Sequence, residues 1–232
     1  MWWGVLIVLA ISDIHERIRS INKLVSEINS RCIPLDIVII AGDLTYFKGI
    51  STAIKILKEI KEKLSVEYVF FVPGNCDDPK MLSLKEVSHG IINIHKNPVK
   101  LEDYTFYGIG GGGISPFNTL IEFSENDFSE YINYIENASV SITNLVMTTH
   151  QPIHGFFDDV DGLNIGSHVF REFLEKKKPL LWITGHVHEN SGWSVSGRTV
   201  IVHPGPLMHG YYALIKLSSG RVLDVSIYKL NY

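Results

Sequence analysis

Short apolar runs alternate with amphipathic segments along the first half of the chain. Runs rich in Val, Ile, Leu and Phe at 5–11, 36–42 and 67–74 predict buried strands. Between them, apolar positions recur at helical spacing and predict helices over 16–30 and 51–64. Continuous apolar strands that alternate with helices pair in parallel and are buried on both faces. This half of the chain therefore predicts a parallel α/β arrangement.

The second half mixes hairpins with further buried strands. Hairpins are predicted over 99–110, around Gly197 and around Ser219–Gly220, where turn residues separate alternating runs. The other predicted elements are a short helix around 81–87, helices near 125–137 and over 167–178, and strands over 144–150 and 179–186. No repeat, low-complexity tract or linker interrupts the pattern. Residues 1–232 are therefore interpreted as one mixed α/β domain.

Composition narrows the class of protein and its surroundings. The chain has 232 residues, of which 45% are hydrophobic and 20% are charged, as in a soluble globular protein with a substantial core. The formal net charge of −4 provides no basic surface for nucleic acid, so a nucleic-acid partner is not expected. Cys32 and Cys76 are the only cysteines, which excludes a disulfide framework. Lone thiols persist in a reducing compartment, so a cytoplasmic location is expected.

The N-terminal stretch MWWGVLIVLAISDIH resembles a signal peptide at first sight. It has no basic n-region, however, and its apolar run is too short to span a bilayer. The run leads directly into Asp13 and His15, as a strand that delivers polar residues would. We therefore expect a buried strand and no membrane partner. The aromatic residues at 1–3 and at Tyr211–Tyr212 leave a homodimer interface open, although core or edge packing explains them equally well.

Each predicted buried strand is followed by side chains that can bind a cation. In chain order these residues are Asp13, His15, Asp43, Asn75, Cys76, Asp77, His150, His186 and His188. Ligands bind beyond the carboxyl ends of the strands in open α/β sheets. We therefore expect these side chains to meet at one rim of the protein.

The residue types at this rim point to metal. Carboxylate, imidazole and amide oxygen together suit borderline divalent ions such as Mn, Fe or Zn. A single Asp or His at a strand end is more often a turn or capping residue, so the prediction depends on finding all five elements in order. The ligands outnumber the needs of one ion and suit a pair of ions. Such a pair can hold a bridging hydroxide and stabilise the attacking and leaving oxygens of a phosphoryl displacement.

Five short motifs between residues 12 and 189 carry a family resemblance. SDIH, AGDL, PGNCD, TTHQP and TGHVHE resemble, in this order, the signature of the calcineurin-like metallophosphoesterases. The resemblance implies an α/β fold in which two mixed β-sheets pack face to face with helices outside, a four-layer αββα sandwich. It covers most of the chain.

The resemblance also implies an enzyme and a set of ligands. It assigns one metal to Asp13, His15 and His188. It assigns the second to Asn75, His150 and His186, with Asp43 bridging the two ions. The implied reaction is hydrolysis of a phosphate ester by in-line attack of the bridging hydroxide. Manganese is the preferred metal, with Fe, Zn, Ni and Co as alternatives.

Cys76 departs from the commonest form of the signature. Many family members have a histidine there, placed to protonate the leaving oxygen or to hold the phosphate. A thiol, with a pKa near ~8.5, stays neutral and donates weakly. Similar bacterial and archaeal phosphodiesterases carry the same GNCD, so we hypothesise a preference for diesters, with Cys76 acting beside Asp43, Asn75 and His150 in catalysis. Packing of Cys76 as a small apolar residue is the alternative.

Other substrate contacts are predicted from position alone. Ser115 and Phe117 lie in the glycine-rich segment YGIGGGGISPF, which we expect to bend over the rim. His154 follows the TTHQP motif closely, and Cys76 itself is a further candidate. An ordinary flexible loop and a surface histidine are the alternative interpretations.

Two other functions remain open at this level. A relative in the retromer trafficking coat keeps this fold as a protein-interaction scaffold without efficient catalysis, but all the ligand residues survive here. DNA-repair relatives are nucleases, but the net charge and the absence of a capping domain in this chain disfavour that function. Metal-dependent turnover separates an enzyme from a scaffold.

Overall fold

The computed structural model describes residues 4–138 and 140–231. The α-helices are α1 (Ile18–Ser30), α2 (Ile50–Leu64), α3 (Glu125–Asn137) and α4 (His168–Lys177). The strands from β1 to β9 are Leu6–Ile11, Ile37–Ala41, Tyr68–Val72, Glu86–Ser88, Ile91–Asn93, Val99–Leu101, Tyr104–Ile109, Gly112–Gly113 and Glu122–Phe123. Those from β10 to β17 are Leu145–Thr149, Asp159–Val160, Leu163–Asn164, Leu181–Ile183, Gly192–Ser196, Thr199–His203, Tyr211–Ser218 and Arg221–Lys229.

Two mixed sheets form the centre of the fold. The first sheet has the strand order β17-β16-β1-β2-β3-β5-β4, and the second has the order β14-β15-β13-β10-β7-β6. In the first sheet β1, β2, β3 and β5 are parallel, while β4, β16 and β17 pair antiparallel with their neighbours. In the second sheet β7, β10, β13 and β15 are parallel, with antiparallel strands at both edges. The parallel strands place their carboxyl ends along one rim.

The apolar core has three layers, which define the four-layer sandwich. One layer lies between the first sheet and helices α1 and α2 and contains Leu9. The middle layer lies between the sheets and contains Val8 and Phe106. The third, with Trp182, lies between the second sheet and helices α3 and α4. Successive strand residues point to opposite faces, so Val8 and Leu9 fill different layers. The predicted αββα fold class is confirmed.

The main disagreement with the sequence pattern lies at 81–87. A helix was expected there, but a short 3-10 turn at Pro79–Ser83 is followed by the edge strand β4. The Asp78 side chain accepts a hydrogen bond from the backbone of Lys80 and starts the turn. Gly90, with φ +76°, then reverses the chain so that β4 pairs with β5. The pairing of β4 with β5 overrides the weak helical pattern.

The structure describes only some of the aromatic residues that left a homodimer interface open. Tyr212 is buried and its ring stacks on Tyr228, 5.2 Å between centroids, so this aromatic residue packs in the core. Residues 1–3 lie outside the described residues. Within the described residues, no helix has both the length and the apolar character needed to cross a membrane.

Candidate metal centre

The predicted ligand residues meet where five parallel strands end. Asp13 and His15 follow β1, Asp43 follows β2 and His150 follows β10. Asn75 follows β3, while His186 and His188 follow β13. Several of these residues adopt a left-handed backbone conformation, which costs a non-glycine residue energy. The φ angles are 52° at Asp13, 46° at His15, 51° at Asp43 and 80° at His186. Such strain concentrates at functional sites, and here it turns the side chains towards one another.

Asp13, His15 and His188 form what we call the outer group. One ligand atom from each lies within 4.8 Å of the others. Nε2 of His15 lies 3.3 Å from Nε2 of His188, and Nε2 of His188 lies 3.4 Å from Oδ1 of Asp13. By distance and angle, none of the described residues donates a hydrogen bond to this buried carboxylate oxygen. A converging set of imidazole and carboxylate atoms of this kind suits a divalent ion.

Asp13, Asp43 and His150 form what we call the inner group. Their ligand atoms also lie within 4.8 Å of one another, and all three residues are buried. Oδ1 of Asp43 lies 3.6 Å from Nε2 of His150, while Oδ2 lies 3.6 Å from Nε2 of His15. The Asp43 carboxylate thus faces both groups, one oxygen towards each. Asp13 belongs to both groups as well, which the sequence did not predict.

The contact between Asn75 and His150 is a more specific sign of a cation site than the two groups themselves. The carbonyl oxygen of Ala41 lies 2.8 Å from Nδ1 of His150 and can only accept, so Nδ1 carries a proton. In the neutral ring Nε2 is then an acceptor, and it lies 2.7 Å from Oδ1 of Asn75. Two acceptors in contact repel each other unless a cation lies beside both. His186 is close by, with its ring 5.0 Å from the His150 ring. The donor set therefore fits two divalent ions.

The charge states in the pocket agree with this fit. Burial raises the pKa of the Asp13 carboxyl, but the nearby ring of His188 and the surrounding histidine charges lower it overall. Burial lowers the pKa of His15, and it lowers the pKa of His186 to about 3. Metal ligands must be ionised carboxylates and neutral imidazoles. Asp13, His15 and His186 thus favour that state before any ion binds. Contact with Asp13 raises the pKa of His188, and burial raises the pKa of Asp43, so a bound cation would be needed to favour the ligand state at these two residues.

Asp77 has a role that the motif pattern did not assign. Its buried carboxylate accepts hydrogen bonds from the backbone of Leu44, Thr45 and Gly74 and from the Thr45 hydroxyl, at 2.8–3.1 Å. Burial and the Asp43 charge raise the pKa of Asp77 to about 6, so it is ionised at neutral pH. Asp77 therefore fastens the loop after β2 to the loop after β3. In the sequence, the only sign of this role is that Asp77 is the last residue of the GNCD motif.

Cys76 is buried next to Asp43 of the inner group. It is 6% exposed, and its backbone N–H donates to Oδ1 of Asp43 at 2.9 Å. Burial raises the pKa of the Cys76 thiol, and the Asp43 carboxylate raises it further. The thiol is therefore neutral and a poor proton donor. It contributes an apolar surface next to the metal groups, and a direct contact with substrate stays a prediction.

The glycine-rich segment packs against Asn75 and His186, next to the inner group. A Cβ on Gly112 would lie 3.1 Å from Cβ of Asn75 and 3.6 Å from Cε1 of His186. The backbone of Leu120 donates to the Asn75 carbonyl at 2.9 Å. The Ser115 hydroxyl donates a hydrogen bond to Oε1 of Glu122, just beyond the segment, at 2.7 Å. Phe117, at the tip of the segment, is 81% exposed. The segment is thus held in place by hydrogen bonds and is not a loose loop.

His154 lies further along the chain from the inner group. Its ring packs on His168 at 3.9 Å between centroids, and its Nδ1 lies 3.6 Å from Oδ2 of Asp158. Asp158 also accepts hydrogen bonds from the backbone of Gly155 and Gly166. These contacts give His154 a structural role in the loop before α4. A contact with substrate stays a prediction.

Comparison with known proteins identifies the family. A model of the calcineurin-like phosphoesterases matches residues 6–190. The chain belongs to this family. Membership implies a metal-dependent hydrolase that acts on phosphate esters. The uncharacterized protein MJ1162 of Methanocaldococcus jannaschii is 29% identical over 185 residues, which cover 76% of this chain and 80% of that protein.

Solved structures agree with the architecture. The protein TT1561 of Thermus thermophilus superposes with a TM-score of 0.74 at 18% identity, and the match covers 98% of this chain and 100% of that chain. A structure described as a novel archaeal phosphodiesterase has a TM-score of 0.52 at 15% identity, and the match covers 97% of this chain and 100% of that chain. At these identities the likeness concerns the fold alone.

Proposed function

We propose that this protein is a phosphodiesterase that works with two divalent ions, manganese being preferred over Fe, Zn, Ni or Co. The observation that carries the proposal is the pair of ligand groups joined by Asp13 and Asp43. Divalent ions, when bound, activate water and neutralise charge on phosphoryl oxygens. An archaeal phosphodiesterase among the structural neighbours supports the reaction class. The single domain over 1–232, the cytoplasmic location and the homodimer stay predictions.

Each ligand residue has a distinct part in this proposal. His15 and His188 would hold the outer ion on the open side of the site, and His150 would hold the inner ion with Asn75 and His186. Asp43 would serve as a ligand to both ions, because its two oxygens face different groups. Asp77 and the Ala41 carbonyl orient the loops and the His150 ring. The substrate phosphate thus meets a site that is already assembled.

The preference for diesters follows from the proton supply. A leaving oxygen departs more readily when an acid protonates it, and imidazole is well suited to that task at neutral pH. Cys76 is buried, and its raised pKa leaves a neutral thiol that donates weakly. A diester carries one negative charge rather than two and needs less help at a metal site. We therefore expect diesters to be hydrolysed faster than monoesters.

The test uses bis-p-nitrophenyl phosphate and p-nitrophenyl phosphate as paired substrates. Protein stripped by a chelator and reloaded with Mn²⁺ is expected to hydrolyse the diester preferentially. An Asn75→Ala/His150→Ala double variant is expected to lose at least about a hundredfold in turnover, since supporting residues alone are worth 10–100-fold. An Asn22→Ala/His89→Ala variant, changed at two exposed positions, serves as the matched control. Two bound ions without turnover for any metal would favour the scaffold instead.

Cys76→His tests the origin of the preference. With phenyl phosphate and diphenyl phosphate, whose basic phenolate leaves poorly without a proton, an imidazole beside Asp43 is expected to raise monoester turnover more than diester turnover, so that the ratio of the diester rate to the monoester rate falls. Measurement of both rates on the same metal-loaded sample removes differences in metal content. An unchanged ratio would show that Cys76 does not determine the substrate class.

A further inference from the structure

A cavity of about 430 Å³ opens next to the outer group. Two of its walls are the ligand histidines His15 and His188. The other walls are Glu16, Arg17, Tyr46 and Met208. Its size is within the range of sites that bind small organic molecules, about 300–1,000 Å³. A phosphate held at the outer group would place one of its ester arms at the mouth of this cavity.

Tyr46 presents a fixed aromatic ring to the cavity. The ring is edge-on to His15, 5.6 Å between centroids, and edge-on to Phe47 at 4.6 Å. Its backbone neighbours are held as well, because Thr45 donates to Asp77 and Phe47 donates to the Cys76 carbonyl at 3.0 Å. Tyr46 is nevertheless 58% exposed. An exposed ring in a cavity wall offers an aromatic surface on which a planar ligand can stack.

The other walls supply complementary polar and polarisable groups. Met208 offers a thioether, which packs favourably against aromatic rings. Arg17 offers donors only, and its side chain is exposed. Glu16 offers acceptors only, and its side chain is half-buried where it lines the cavity. Glu16 also has a left-handed backbone, with φ 51°, which strains a residue with a side chain.

This combination matches a nucleoside better than an alkyl chain or a simple sugar. A base offers a flat face for Tyr46 and acceptor atoms for a guanidinium, as in the pairing of Arg with base edges. A sugar hydroxyl can donate to an acceptor of the Glu16 side chain, which lines the cavity. We propose that this cavity binds the nucleoside on one ester arm of the substrate, with the base stacked on Tyr46. The proposal rests on the proposed phosphodiesterase function and names its substrate class as small nucleotide diesters.

Two measurements test the assignment. The first is calorimetric titration of the Mn²⁺-loaded protein with thymidine 5′-monophosphate and with methyl phosphate. The second is hydrolysis of the p-nitrophenyl esters of the same two phosphates. Stacking of one base on an aromatic ring is worth roughly 5- to 160-fold. The unaltered protein is expected to prefer the thymidine compound at least about tenfold in both Kd and KM.

Variants separate stacking from general damage. Tyr46→Ala is expected to lower the preference for the thymidine compound by about tenfold, whereas Tyr46→Phe keeps the ring and retains the preference. Tyr134→Ala, at an exposed tyrosine on α3 that packs on Tyr107, is the matched control and is expected to change nothing. Using the ratio of two ligands cancels any effect of Tyr46→Ala on metal content.

The outcomes distinguish the two levels of the proposal. Equal affinity for both phosphates, or an unchanged preference in Tyr46→Ala, would overturn the nucleoside site while leaving the phosphodiesterase intact. Absence of hydrolysis for both esters, together with Tyr46-dependent binding of thymidine 5′-monophosphate, would overturn the hydrolytic function and support the nucleoside site. If the unaltered protein neither binds thymidine 5′-monophosphate nor hydrolyses either ester, both the nucleoside site and the phosphodiesterase function would be overturned.

Discussion

The outer and inner groups use the same kinds of side chain but differ in their surroundings. In the outer group, the His188 side chain is 33% exposed and borders the cavity with Tyr46. In the inner group, the His150 side chain is 0% exposed and lies near the glycine-rich segment, whose Gly112 backbone packs close to Asn75. Solvent therefore reaches His188 but not His150. The outer side is open to a ligand, whereas the inner side is part of the buried interior.

This difference has a physical consequence for the two ligand histidines. The His150 ring has no contact with water, and its removal takes away the donor to the Ala41 carbonyl and leaves a buried cavity. A cavity and a buried group that loses its partner both cost free energy. His188 sits at an open edge, where water can replace a lost partner. The same substitution is expected to damage the two groups in different ways.

The largest effect is expected from His150→Ala compared with His188→Ala. Both variants should lose at least about a hundredfold in diester turnover, because each removes a proposed ion ligand. In the metal-free state, His150→Ala should also lower the free energy of unfolding by about 3 kcal/mol, whereas His188→Ala should change it by less than about 1 kcal/mol.

Turnover, metal content and urea unfolding of the two variants check this expectation. Metal analysis should show that each variant retains fewer ions than the unaltered protein. Equal losses of stability in both variants would show that the burial of the inner group carries no energetic weight.

An acid-sensitive element is expected on the inner side. His95 is buried near the glycine-rich segment, and its Nδ1 accepts a hydrogen bond from the Gly110 backbone at 2.9 Å. Burial lowers the pKa of His95 to about 4, helped by the charge of Lys96. Because the unfolded chain takes up this proton near the ordinary pKa of about 6.5, acidification from about pH 6.5 to about pH 4 favours unfolding. The stability lost to this residue at pH 4 is about 3 kcal/mol.

Urea unfolding of metal-free protein at about pH 7.5 and about pH 4.5 measures this effect. His95→Asn keeps an acceptor near Nδ1 but cannot titrate, so its stability should fall less on acidification than that of the unaltered protein. His89→Asn, at an exposed histidine, is the matched control. Other buried histidines contribute to the total, so the difference between variants is the relevant quantity. A parallel fall in all three proteins would contradict the assignment to His95.

The smallest effect is expected from a single methyl group under the glycine-rich segment. Gly112→Ala places a Cβ 3.1 Å from Cβ of Asn75, so the segment or the ligand must shift by a few tenths of an ångström. Displacement of a catalytic geometry by that amount is expected to lower kcat/KM by about tenfold. For Gly113→Ala the nearest atoms to the added Cβ belong to the Gln151 amide, at 3.4 Å or more, and kcat/KM is expected to stay within about twofold. Kinetics of both variants with the diester measure the difference, and equal rates would show that the segment is not tightly fitted.

Much of the fold could be predicted because its signals are local. The strands at Leu6–Ile11 and Ile37–Ala41 are continuous apolar runs, and the helix Ile18–Ser30 has a clear apolar stripe. The edge strand Glu86–Ser88 and its neighbour Ile91–Asn93 were missed because each has only three residues and depends on partner strands for hydrogen bonds. A strand of three residues is too short to show the alternation of apolar and polar positions that predicts a strand.

By itself, the sequence determined which side chains stand at the strand ends. A strand end is a local feature, and parallel strands place their carboxyl ends on one rim, so residues such as Asp43 and His150 could be placed together. Tertiary structure alone decided which atoms meet. Nε2 of His188 lies 3.4 Å from Oδ1 of Asp13, although the two residues are far apart in the chain, because the two sheets pack face to face. The double role of Asp13 and the cavity beside Tyr46 depend on that packing. Contacts between segments that are distant in the chain produce no pattern of apolar and polar residues within either segment, so the sequence alone does not predict them.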